Sequence, residues 1–274
     1  GGGNISASSS SDLHLGGMTN TFNVDVMTVG GRKAIGTIDI IAGGVFTLTG
    51  DANAEADLRI GHNDSVGTAT APVESTVVLT GATFNATLNN LVIGLHGGGS
   101  GSGKGSLTYN QGTVSANTIT LSNTDEGASS SNDANTNGTL NHNGGDLTVG
   151  TLNLAEGTST INITDGTVKV TGAFNLDELA AGISTVTLSG GTLDLSGVNV
   201  VDRPGTENFN FIGGTLKDVN DFGRDLNQQS GTLQLGADGA ADTMTVAGDF
   251  TTSAGATVEI ELNGAASHDQ LIIN

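Results

Sequence analysis

Apolar residues in this chain arrive two apart. In Ser184-Thr-Val-Thr-Leu-Ser-Gly-Gly-Thr-Leu-Asp-Leu-Ser-Gly197 the apolar positions are Val186, Leu188, Leu193 and Leu195, separated by Thr or Asp and broken by a Gly190-Gly191 corner. A period of two puts apolar side chains on one face of a strand and Thr, Asn, Ser or Asp on the other. The segment therefore predicts two short half-buried strands, with Ile161, Ile163 and Val168 pointing inward in a related segment just as Leu188, Leu193 and Leu195 do here.

The same order of small residue, two apolar residues, glycine corner and two apolar residues recurs. Copies open at Gly36, Ser75, Gly105, Gly138, Ser159 and, less regularly, Glu207, spaced by roughly 20 to 40 residues. Asn143-Gly144 and Asp165-Gly166 are also hairpin signals, but an order repeated from copy to copy is what stacking coil upon coil requires. The fold expected is all-β, a right-handed parallel β-helix (β-solenoid) of roughly 20–25 residues per coil. Residues 1–274 would form a single domain, and its hand follows from the crossover rule for parallel strands. At about 22 residues per coil and a strand spacing of about 4.8 Å the chain would make roughly 11 to 12 coils, a rod of about 55 Å.

Longer spacings need insertions, expected as surface loops at Gly61–Pro72, His96–Lys104 and Ser122–Asn137. The helix candidate is Asn175-Leu-Asp-Glu-Leu-Ala-Ala181, with Leu176 and Leu179 three apart.

Composition sharpens this picture. There are 44 glycines, 2 prolines, 1 tyrosine, no tryptophan and no cysteine, so a thick globular core, a disulfide framework and thiolate zinc sites are all excluded. Eight Lys plus Arg stand against 28 Asp plus Glu, a formal charge of −20, which removes the phosphate-neutralising contribution that dominates nucleic-acid affinity. No stretch approaches the length of an apolar membrane span, so direct membrane insertion of this segment is not expected.

Gly190-Gly-Thr-Leu-Asp-Leu-Ser-Gly-Val-Asn199 and Ser230-Gly-Thr-Leu-Gln-Leu-Gly236 carry a Gly-Thr-Leu strand, the first followed by a Ser-Gly corner, and Val246–Gly264 is followed by Asp269-Gln-Leu-Ile-Ile273. In these segments the chain resembles the passenger regions of bacterial autotransporters and related surface proteins built from autotransporter-associated β-strand repeats. The resemblance implies an extracellular or cell-surface location and a chain excerpted or processed from a longer surface protein. It transfers no active site, and these residues contain neither a translocator barrel nor a sorting signal.

Parallel β-helices also carry polysaccharide lyases and hydrolases. Asn123-Thr124-Asp125 matches a tripeptide of polygalacturonase-like hydrolases, but the chain has no Asp-Asp pair, its Gly61-His62 is followed by Asn63, and its basic residues are scattered. The expectation is therefore that the protein is not an enzyme and has no cofactor. His14, His62, His96, His142 and His268 lack the spacing that places two imidazoles on one metal, and each is expected on a surface or polar face. Calcium is the candidate ligand, through Asp125, Glu126 and Asp133 in one loop and Asp218, Asp221 and Asp225 in another, because hard oxygen donors cluster there. Asn and Thr ladders on the outer faces could meet a glycan, although Tyr109 is the sole polar aromatic.

These readings point to a structural subunit of an extracellular surface layer, filament or fibre. The alternative is an adhesin-type passenger binding a host, cell or glycan partner. Self-association is expected through lateral faces or solenoid ends, because Gly1–Asp12 and Gln270–Ile273 offer nothing to block an open strand edge.

Overall fold

The computed structural model describes residues 9–31, 34–63, 73–97, 103–124, 136–176, 182–201, 203, 205–236, 239, 241–262 and 268–274. Strands β1 (Ser9–Leu15), β2 (Thr19–Asn23) and β3 (Val26–Gly31) set a pattern that every later segment follows. β1 pairs in parallel with β4 (Ala34–Ile40), β2 with β5 (Val45–Thr49) and β3 with β6 (Ala56–Asn63). The chain thus travels through three strand stacks in a fixed order and returns to the first, one strand spacing higher.

The first stack continues through β7 (Val73–Leu79), β9 (Gly103–Tyr109), the opening segments of β11 (Asn137–Leu154) and β12 (Thr158–Leu176), then β13 (Ile183–Leu188), β15 (Thr206–Phe211), β17 (Leu226–Gln228) and β20 (Phe250–Thr252). β8 (Thr83–His96), β10 (Thr113–Thr124), β14 (Thr192–Val201) and β16 (Thr215–Phe222) each bend through both the second and third stacks. β18 (Gly231–Gln234) and β21 (Ala256–Glu259) complete the second stack; β19 (Thr243–Val246) and β22 (Gln270–Ile273) complete the third. The result is an open, solenoid-like stack of ten turns, wholly parallel among the described strands; the isolated bridge between Leu262 and His268 is antiparallel. Ten turns, not 11 to 12, arise because the chain between β6 and β7, β8 and β9, and β10 and β11 lengthens turns 2, 3 and 4.

The interior is a set of side-chain columns. In the second stack, Leu48, Ala86, Val114, Leu147, Val168, Leu193, Leu216 and Leu233 lie on one another in register and are all buried. Leu188, Leu195, Ile161 and Ile163 are buried as the alternation predicts. In turns 1 to 5 an aromatic ladder crosses the core: Phe22 to Phe46 at 5.3 Å, Phe46 to Phe84 at 5.5 Å, Phe84 to Tyr109 at 5.4 Å and Tyr109 to His142 at 5.2 Å. Such spacings are those of favourable ring pairs.

Two expectations are corrected. Asn175 and Leu176 are the end of strand β12, not the start of a helix, because Leu176 continues the column of Leu154; residues 177–181 lie outside the described set. All three expected insertions begin too early, and the second and third also end too late. Gly61–Asn63 belong to β6, His96 to β8, Gly103 and Lys104 to β9, Ser122–Thr124 to β10 and Asn137 to β11. Gly61 and Ser122 read as loop but mark bends, at φ +72 and +56, inside paired strands.

Candidate functional site

The outward side of the first stack differs from the rest of the surface. In turns 3 to 8 one column runs Thr76, Ser106, Thr139, Thr160, Thr185 and Asn208, and a second column two residues on runs Val78, Thr108, Asn141, Asn162, Thr187 and Asn210. None of these twelve positions is charged, in a chain whose net charge is −20; the outward positions two residues before the first column carry Glu74 and Lys104, in register across turns 3 and 4. The second stack presents Lys169, Asp194, Lys217 and Glu259 outward, with Lys169 Nζ 3.6 Å from Asp194 Oδ2, and the third presents Asp57 and Arg59.

The second column is fixed by its own amides. Asn141 Nδ2 donates to Thr108 Oγ1 at 3.0 Å and Asn162 Nδ2 to Asn141 Oδ1 at 2.8 Å; Asn210 Nδ2 lies 3.5 Å from Thr187 Oγ1. The first column carries hydroxyls. Thr139 Oγ1 donates to Asn137 Oδ1 at 3.3 Å, while those of Thr76, Ser106, Thr160 and Thr185 have no hydrogen-bond partner among the described residues. The two columns thus form an uncharged lattice of hydroxyl, methyl and amide groups, backed by the buried Val77, Leu107, Leu140, Ile161 and Val186.

The calcium candidates fare differently. Asp125, Glu126 and Asp133 lie outside the described residues. Asp218 sits at φ +55 in a bulge of β16, where burial, then the carboxylates of Asp194 and Asp242, raise its carboxyl above the ordinary range. Asp221 is on β16 beside Thr245, and Asp225 Oδ1 accepts the Asp249 N–H at 2.8 Å, a corner bond. The structure does not assemble these three, and among the described residues no group of three or more acids and histidines is placed to hold a metal ion. Asn123 and Thr124 of the hydrolase-like tripeptide are strand residues in register with Leu95 and His96.

Two histidines contradict the expectation of a surface position. His96 is buried at the third-stack edge beside Asn63. His142 lies within the core, in a column that places it between Tyr109 and Ile163, and its Nδ1 is 2.9 Å from the Tyr109 hydroxyl while Nε2 has no hydrogen-bond partner among the described residues. Burial pushes the imidazole down to about 4, against the opposing pull of Asp146, the Gly145 backbone and Asp165. The alternation itself held the signal, since His142 follows Leu140 by two.

An open groove of about 460 Å³ lies over turns 6 and 7, lined by Thr171, Gly172, Phe174, Ser196, Gly197 and Asn199 among others. Its lining includes no acid, base or cation. No family model, curated protein or solved structure matches the chain. The resemblance to autotransporter passengers therefore rests on the quoted segments alone.

Proposed function

We propose that the chain is a right-handed β-solenoid rod serving as a structural subunit of an extracellular bacterial surface layer, filament or fibre, without catalytic activity. What supports this reading is that the buried interior is filled by continuous apolar columns from turn to turn, so the architecture invests in a stiff rod. The right hand follows from the strong preference of parallel crossovers. The location is the one the resemblance implies, and a chain free of cysteine suits it.

The adhesin reading is kept alive by the uncharged two-column array of turns 3 to 8, which a partner could meet without charge repulsion. Immunogold labelling of intact source cells, with electron microscopy of the purified chain, tests the proposal. Surface label together with thin rods, single or laterally associated, supports it. Label confined to the cytoplasm, or compact particles, would sink it.

A further inference from the structure

We propose that the two-column Thr and Asn array on the first-stack face of turns 3 to 8 binds the surface of ice. The inference rests on the lattice of that face, independently of the structural role proposed above.

Parallel pairing repeats the Thr76, Ser106, Thr139, Thr160 and Thr185 column about every 4.8 Å along the stack, and the second column stands about 6.7 Å away along the strand. Water in a tetrahedral network has hydrogen bonds of about 2.75 Å, which places second-neighbour oxygens about 4.5 Å apart and gives a layer repeat of about 7.3 Å. The two lattices agree to within about a tenth in both directions. Water bound to these hydroxyls is thereby held in a two-dimensional order close to that of the solid.

Three further observations favour water over other occupants. Charged side chains orient water around themselves, and this face has none at its twelve positions. A dissolved glycan must displace the face's hydration for hydrogen bonds whose net gain is small, and must also offset the freedom lost on association. The face offers no aromatic platform, since Tyr109 is buried in the core. A second copy of the chain would bury on the order of 400 Å² per partner over two columns and six turns, about half of what a stable interface needs. Ice alone needs no stripping of the bound water, because the hydration layer is itself the contact. The Asn141 and Asn162 amide bonds and the packed core beneath keep the array from relaxing away from its spacing.

The test is ice-crystal morphology and recrystallisation in a dilute solution of the 274-residue chain, set against three variants. Thr139→Lys with Thr160→Lys places two charges in the centre of the array on outward side chains, and circular dichroism melting verifies that it folds. Thr139→Val with Thr160→Val keeps the γ-methyls. Thr257→Lys adds a charge on the exposed second-stack side and serves as the control. The proposal expects faceted crystals and suppressed recrystallisation from the parent chain and from Thr257→Lys, with partial activity from the valine pair and none from the folded lysine pair. Round, freely coarsening crystals from the folded parent chain overturn it, whether or not that chain is retained by a neutral polysaccharide or pairs with a second copy. Undiminished activity in the folded lysine pair overturns it equally.

Discussion

Turns 1 to 5 and turns 6 to 8 close the same corner, between the third and first stacks, by different physics. In the early turns backbone meets backbone, save at turn 3, where the buried Ser75 hydroxyl enters the corner and accepts the Gly36 N–H at 3.1 Å. Gly30, Gly61, Gly94 and Ser122 stack in the left-handed region at φ +69, +72, +73 and +56, and opposite them stand Gly36, Gly105 and Gly138. A Cβ on Gly61 would lie 2.0 Å from the Lys104 carbonyl oxygen, and one on Gly94 2.1 Å from that of Asn137. In the later turns the same column carries side chains: Ser159 donates to the Leu121 carbonyl at 2.9 Å, Ser184 is buried, and Glu207 fills the corner with a carboxylate. Arg224 holds that carboxylate at 2.6 Å and also donates to the Glu207 carbonyl at 2.8 Å, and the Arg203 N–H bonds its other oxygen at 3.0 Å. A corner closed by backbone contact demands glycine, and a corner plugged by side chains demands polar satisfaction.

The sharpest break of this contrast is Gly61→Ala or Gly94→Ala. Each adds a methyl in a left-handed backbone against a carbonyl oxygen, and stability should fall by on the order of 4 kcal/mol, read by urea denaturation. A loss below that of an exposed left-handed glycine would mean the backbones are not in contact.

His142 adds a pH dependence confined to the early half. Its folded pKa, about 4, is below the unfolded value of 6.5, so the unfolded chain takes up the proton first. The stability contribution of the neutral imidazole is present above pH 6.5 and falls as pH drops toward about 4, by on the order of 3 kcal/mol. Melting curves between pH 7 and 4 should be flatter in His142→Leu than in the parent; equal slopes would place the imidazole in water.

At the plugged corner, Glu207→Ala should cost about 2–3 kcal/mol, since it strands the Arg224 guanidinium and the Arg203 N–H. Replacement by Gln should recover part of that loss, and a neutral alanine variant would show the clasp to be incidental. The smallest effect belongs to Gly197→Ala. That glycine has φ +76 but nothing within 4 Å of an added Cβ, so only the backbone preference of about 1 kcal/mol is lost.

Two sides of each turn were legible in the sequence, and the third was not. The residues that open the copies, small from Gly36 to Ser184 and Glu at 207, lie in one register column. The third stack was missed, although Leu58 and Ile60, Leu91 and Ile93, Ile119 and Leu121, and Leu152 and Leu154 alternate just as clearly. The first three pairs follow Asp or Asn corners and the fourth a single Gly150, instead of Gly-Gly, and long insertions between turns scatter their spacing. That the opening residue must be small was visible, but its reason, the approach of the third-stack backbone, lies between residues distant in sequence. The uncharged array was legible only as isolated Thr and Asn, because register is what makes it a lattice.

The central claim, that successive turns climb by one strand spacing in register, can be measured by distance. The chain has no cysteine, so spin labels placed at Thr76 with Thr185, and at Thr37 with Asn208, report single distances by pulsed electron resonance. The first pair is four turns apart and the second six, so their backbone separations should be about 19 Å and about 29 Å, in proportion to turn number. Separations that do not grow with the number of turns would contradict the account.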